Sequence, residues 1–186
     1  MFKRFAIFIL TLTLVLFYSC SSDPAKPEEE TQDVHVCGHL LEGPAYSINA
    51  FSSKQAALDA ATANAENLLQ NRLHTRYDLS LPQNGDNYEG WLAYKPIKPE
   101  AGDGDFVLYS TKSHSEMQIT IQPSDAETLI APEHIWDHSD DCELVKFKAV
   151  YPLEAAKTYV LHFQSETHTS VSVLLPRYAG EEDHDH

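Results

Sequence analysis

Five stretches of this chain alternate apolar and polar side chains with a period of two. They are Thr75-Tyr77-Leu79-Leu81, Met117-Ile119-Ile121, Val145-Phe147-Ala149-Tyr151, Tyr159-Leu161-Phe163 and Val171-Val173-Leu175. Successive side chains of an extended strand point to opposite faces, so each stretch reads as a strand with one face in a core. All but the fourth run into a proline: Pro82, Pro123, Pro152 or Pro176. Proline has no N–H to give to a sheet ladder and stops the strand there. Two further strands are expected around Gly90–Tyr94 and Phe106–Tyr109, with turns at Asn84-Gly85-Asp86 and Ala101-Gly102-Asp103-Gly104. Roughly seven to nine short strands of this kind predict an all-β chain, an antiparallel β-sandwich of jelly-roll or Ig-like type. One segment breaks the pattern. Ser53 to Arg72 carries Ala57, Ala61, Ala65, Leu68 and Leu69 near helical spacing, with Ser52 or Ser53 as N-cap. It predicts a single inserted helix near 53–72, covering an edge of the sandwich. Trp91 is expected in the core.

The chain has 186 residues and a formal net charge of -15. So acidic a surface repels phosphate backbones, which excludes nucleic acid as a partner. Residues 21–33 are polar, hold two prolines and include Glu28-Glu29-Glu30, so they read as a flexible tether. The domain proper is expected over residues 34–178, followed by an acidic, histidine-containing tail at 179–186.

The N-terminus has a different character. Lys3 and Arg4 precede an apolar run from Phe5 to Phe17 that ends at Tyr18-Ser19-Cys20. A basic start, a short apolar stretch and a small residue before the cut read as a secretory signal over residues 1–19. The cysteine at that boundary resembles the lipobox of bacterial lipoproteins. The resemblance implies cleavage before Cys20, lipidation of Cys20 by palmitate-type acyl chains, and anchoring to a membrane of the cell envelope. The anchored face would be outer-membrane, periplasmic or surface-exposed. An ordinary secreted protein cut nearby is the alternative. The segment from Phe147 to Leu175 is similar to the closing strands of secreted jelly-roll domains of the prepeptidase C-terminal type. Ala155-Ala156 stands where that unit has its turn glycine. This resemblance implies a sandwich with a binding or accessory role.

With Cys20 assigned to the lipid, Cys37 and Cys142 remain. An even pair in an oxidising compartment is most simply a disulfide. It would close a loop of roughly a hundred residues, stabilise by about 4–5 kcal/mol on chain-entropy grounds, and tie the first strand to a late loop. The alternative is that Cys37 is a metal thiolate.

Ten histidines carry the candidate chemistry. His35-Val36-Cys37-Gly38-His39 puts both imidazoles and the thiol on one face if the segment is a strand. His134 and His138 share a face in a helix or a strand, with Asp140, Asp141 and Cys142 just beyond. Imidazole with carboxylate is the ligand set of zinc, copper(II), nickel and cobalt. A Cys37–Cys142 bridge would bring His35 and His39 near His134 and His138. His74 is a fifth candidate ligand, and His184 and His186 in the tail would form a loose outer collector. His114, His162 and His168 read as surface residues. For any single histidine a solvated or hydrogen-bonded role is the simpler one. Trp91, Trp136 and the tyrosines offer the contrasting chemistry of a carbohydrate platform.

Nucleophile elbow, His-Glu-x-x-His and phosphate-loop motifs are missing from the sequence. The expectation is therefore a non-catalytic envelope lipoprotein that captures or hands over a transition metal near an envelope transporter or receptor. The alternative is a surface adhesion or glycan-binding module with incidental histidines, and a third possibility is a structural or assembly lipoprotein.

Overall fold

A computed structural model of the chain describes residues 32–70, 75–97 and 106–176. The order of elements is helix α1 (Gln32–Glu42), β1 (Ala45–Asn49), helix α2 (Lys54–Ala63), a 3-10 turn (Ala65–Asn67), β2 (Leu68–Leu69), β3 (Arg76–Ser80), β4 (Gln83–Asn84), β5 (Asn87–Tyr94), β6 (Phe106–Ser110), β7 (Gln118–Pro123), β8 (His134–Trp136), β9 (Phe147–Tyr151), β10 (Tyr159–Ser165) and β11 (Ser170–Leu174). The strands form two sheets. One runs β1-β3-β11-β6-β9-β8 and the other β2-β5-β10-β7, with β4 paired to β5. The inward residues of both sheets make one continuous core. Tyr77, Leu79, Leu108, Phe147, Ala149, Val171 and Val173 come from the first sheet, and Leu92, Tyr94, Ile119, Ile121, Leu161 and Phe163 from the second. This is a two-sheet β-sandwich, and the period-two stretches supply its interior as their spacing predicts.

Two pairings depart from the antiparallel expectation. β1 lies parallel to β3, and β2 lies parallel to β5. Parallel neighbours need a long crossover. The segment through α2 provides it, leaving the first sheet after β1 and returning at β3. Ser53 accepts a hydrogen bond from the Ala56 amide and is the N-cap. The helix is shorter than 53–72. It stops at Asn64, whose side chain accepts from the Glu66 amide and starts the 3-10 turn. Leu68 and Leu69 are then drawn into the second sheet, where Leu69 is fully buried. α2 rests on β5 and β10 with Ala57 buried beneath it, so it lies on a sheet face.

Trp91 is a correction. Leu92 and Tyr94 point into the core, so the pleat turns Trp91 outward, stacked on His162 of the neighbouring strand at 3.9 Å between ring centroids.

α1 replaces the strand expected at residues 35–39. It lies on the outer face of the first sheet, where Val36, Leu40 and Cys142 pack with Val107, Tyr109, Val145, Val150 and Leu174. That cover explains β6, whose five residues Phe106-Val107-Leu108-Tyr109-Ser110 are all buried. A strand covered on both faces does not alternate.

Candidate metal site

Three attachments fix α1 to the sandwich. At its first turn, the Asp33 carboxylate accepts hydrogen bonds from Tyr109 Oη at 2.8 Å, Lys148 Nζ at 2.7 Å and Ser139 Oγ at 2.7 Å. Burial opposes ionisation of Asp33, but the hydrogen bonds from Lys148, Ser139 and Tyr109 and the charge of Lys148 outweigh it, holding the carboxyl below its usual range. In the middle of the helix, Cys37 is bonded to Cys142, with the Cα atoms 5.5 Å apart. The bridge therefore joins the first helix, in place of a first strand, to the late loop. At the C-terminal end, Arg76 Nη1 donates to the Leu40 carbonyl, a cation meeting the negative end of the helix dipole. Gly43 closes the helix. Its amide donates to the His39 carbonyl at 3.1 Å, and a Cβ there would stand 2.6 Å from the same oxygen.

These attachments all use one side of the helix. Asp33, Val36, Cys37 and Leu40 follow the i, i+3, i+4, i+7 spacing of a single stripe. His35 and His39, one turn apart, fall on the opposite side. Cys37, two residues from each, points away from both, so the thiol and the imidazoles do not share a face as they would on a strand. The Nε2 atoms of His35 and His39 are 3.1 Å apart, and the rings meet edge to face at 82°.

That separation can be tested against an ion. With metal–nitrogen bonds of about 2.05 Å, a nitrogen separation of 3.1 Å subtends roughly 98° at a shared ion. This lies between the right angle of square-planar or octahedral geometry and the wider tetrahedral angle. At this distance the two rings share a hydrogen bond, and the donor set is one that a borderline divalent cation takes.

The other candidates are arranged differently. His134 lies on β8, the last strand of its sheet, with its ring 5.7 Å from that of Trp136. His138 follows the strand and lies 3.3 Å from Asp140, both largely exposed. Among the described residues, no group of three or more His, Cys, Asp or Glu side chains is placed to hold an ion. His74, His184, His186 and Cys20 lie outside the described residues. His114 stacks on Phe147, His168 lies 3.4 Å from Glu116, and His162 is held between Trp91 and Glu89, 2.7 Å from the carboxylate. Trp136 ends β8, its ring 4.9 Å from Lys148 Nζ.

Sequence reasoning missed the anchoring residues Asp33, Arg76, Tyr109, Ser139 and Lys148. Only Asp33 left a trace: it stands three, four and seven residues before Val36, Cys37 and Leu40, which is helical spacing.

A cleft of about 630 Å³ is lined by Tyr46, Ile48, Phe51, Glu66, Asn67 and Tyr77 among others. It sits where β1 and β2 end their sheets. Among the described residues, no helix is long and apolar enough to cross a membrane. Neither a protein-family model nor a curated protein matches this chain.

Proposed function

We propose that this chain is a non-catalytic lipoprotein of the cell envelope, anchored through Cys20, that captures a transition-metal ion and passes it to an envelope transporter or receptor. The single observation that supports this reading is the 3.1 Å separation of His35 and His39 Nε2 on α1. Two imidazoles leave coordination positions for water or an incoming ligand. An ion so held is exchangeable, which is what a handover component needs. The attachments of α1 keep the pair from having to be ordered on binding, a cost that a free tail such as 179–186 would bear. Zinc, copper(II), nickel and cobalt all suit the nitrogen donors, with copper(II) favoured on intrinsic affinity. The sandwich itself would be of jelly-roll type, in line with the resemblance of its last strands to secreted accessory domains.

Calorimetric titration of the full chain with zinc and copper(II) tests the proposal. Micromolar or tighter binding that is lost in His35→Ala/His39→Ala and kept in His184→Ala/His186→Ala supports it. Uptake that disappears only with the tail histidines removes it.

A second reading, glycan or adhesion binding, rests on β8. All three residues of that strand are exposed, and Ile135 and Trp136 are 54% and 39% accessible. Quenching of Trp136 fluorescence by a soluble oligosaccharide, absent in Trp136→Ala, would favour it.

A further inference from the structure

We propose that the outer edge of β8 (His134–Trp136) accepts an extended, lysine- or arginine-bearing segment of a partner protein as a further strand of the first sheet. The inference does not depend on the metal-capture reading.

Three observations carry it. The first is the backbone. β8 ends the first sheet and pairs with β9, with Ile135 opposite Ala149 and Trp136 opposite Lys148. Among the described residues no strand lies along its other side. A bare strand edge offers a row of N–H and C=O groups, and a strand laid along it satisfies them as the rest of the ladder is satisfied. Such edges are commonly guarded by lysine or proline. His134-Ile135-Trp136 contains neither.

The second is the side chains. The strand period sets Ile135 on the core side, in register with Ala149, and His134 and Trp136 on the outer side. In β9 the matching residues Ala149 and Val150 are fully buried, whereas all three residues of β8 are exposed. Leu129 before the strand and Leu144 after it are exposed as well. An added strand with alternating side chains would cover Ile135 on one face and Trp136 on the other.

The third is charge. Residues 113–145 include eight carboxylates and neither lysine nor arginine. Glu133 and Asp137 flank β8 directly, Asp140 and Glu143 follow, and all four are exposed. Lys148, in register with Trp136, is engaged by Asp33. A rim of one sign draws in a strand of the other. The same acids disfavour a second copy as the occupant. Two β8 edges paired antiparallel about Ile135 would set Glu133 against Asp137, and like charges directly opposite are destabilising.

Amide NMR and fluorescence anisotropy on the full chain decide the matter. The probes are blocked octapeptides that alternate lysine or arginine with valine or phenylalanine. The expected result is saturable binding that weakens with salt, with amide shifts centred on residues 133–137 and slowed amide exchange in β8. N-methylation of every second peptide residue should abolish binding in one frame and spare it in the other, since only one edge of an added strand meets β8. Ile135→Lys changes an exposed side chain, so the fold is retained, and it should weaken binding by about tenfold or more through like charge at the edge. Glu133→Gln/Asp137→Asn should weaken binding and flatten its salt dependence. Equal binding in the two methylation frames would overturn strand addition. Equal binding of the matching glutamate peptides would overturn the charge argument. Unchanged affinity in Ile135→Lys, or no binding by any peptide, would remove β8 as the docking edge. Shifts at β8 produced by a soluble oligosaccharide and not by the peptides would overturn the proposal in favour of the glycan reading.

Discussion

Asp33→Ala should be among the most damaging single changes on the surface of this protein, although the residue lies at the first turn of its first helix. The carboxylate accepts two hydroxyl hydrogen bonds, from Tyr109 and Ser139, and forms one ion pair with Lys148. The side chains of Lys148 and Asp33 are only 14% and 16% exposed. Removing one partner of a buried pair costs about 3–5 kcal/mol, because the other charge stays desolvated. Residual solvent access lowers that figure, and loss of an acid from the first helical turn adds a few tenths. The expected loss is about 2–4 kcal/mol at neutral pH, read from the urea midpoint at unchanged m-value. The effect also carries a pH signature. The folded carboxyl holds its proton more weakly than the unfolded one, so its contribution is complete above the ordinary carboxylate range. It is lost as pH falls from there through the lower native value. The wild-type chain should therefore lose stability below about pH 4 by an amount that Asp33→Ala does not lose again. Lys148→Met in the Asp33→Ala background should recover part of the loss, since replacing both partners removes the stranded charge. A cost below about 1 kcal/mol, or a double variant whose cost is the sum of the singles, would refute the clamp as the anchor of α1.

Two other changes test the scaffold. Cys37 and Cys142 are 105 residues apart, so Cys37→Ala/Cys142→Ala should cost about 4–5 kcal/mol; a loss of under about 1 kcal/mol in urea unfolding would mean that the bridge restrains little of the unfolded chain. Ala156 has φ 65°, a left-handed conformation that costs a residue with a Cβ roughly 1–2 kcal/mol. Glycine relieves this but loses about 0.4–1 kcal/mol to unfolded-state entropy. Ala156→Gly should therefore raise stability by roughly 0.5–1 kcal/mol, and a lower urea midpoint would contradict the reading.

Ala156 also shows where local pattern stops. The tight turn between β9 and β10 puts a left-handed backbone at Ala156 rather than at a glycine, so residue type alone did not mark it. Strands β3, β7, β9, β10 and β11, by contrast, were legible. Each buries one face against the opposite sheet, so its code is a two-residue alternation written within the strand. β6 was legible as apolar but not as doubly covered, because its second cover comes from a helix some seventy residues earlier.

α1 was not legible as a helix. In His35-Val36-Cys37-Gly38-His39 the alternation of polar and apolar residues satisfies a strand as well as a helix. What decided between them lies elsewhere in the chain. Lys148, Ser139 and Tyr109 hold Asp33, Arg76 meets the Leu40 carbonyl, and Cys142 takes Cys37. The pairing of the two cysteines followed from the sequence by parity once Cys20 was assigned to a lipid, because a count requires no geometry. The consequence of that pairing for the histidines did not follow. On a strand, two-residue spacing would have put the bridge and both imidazoles on one face. On the helix, a step of two turns Cys37 inward while the step of four keeps His35 and His39 together on the outer side, with their Nε2 atoms 3.1 Å apart. Alternation and cysteine parity therefore set the sandwich and its bridge from sequence alone. The face of the candidate site was decided only when contacts distant in sequence chose the period of the helix over that of the strand.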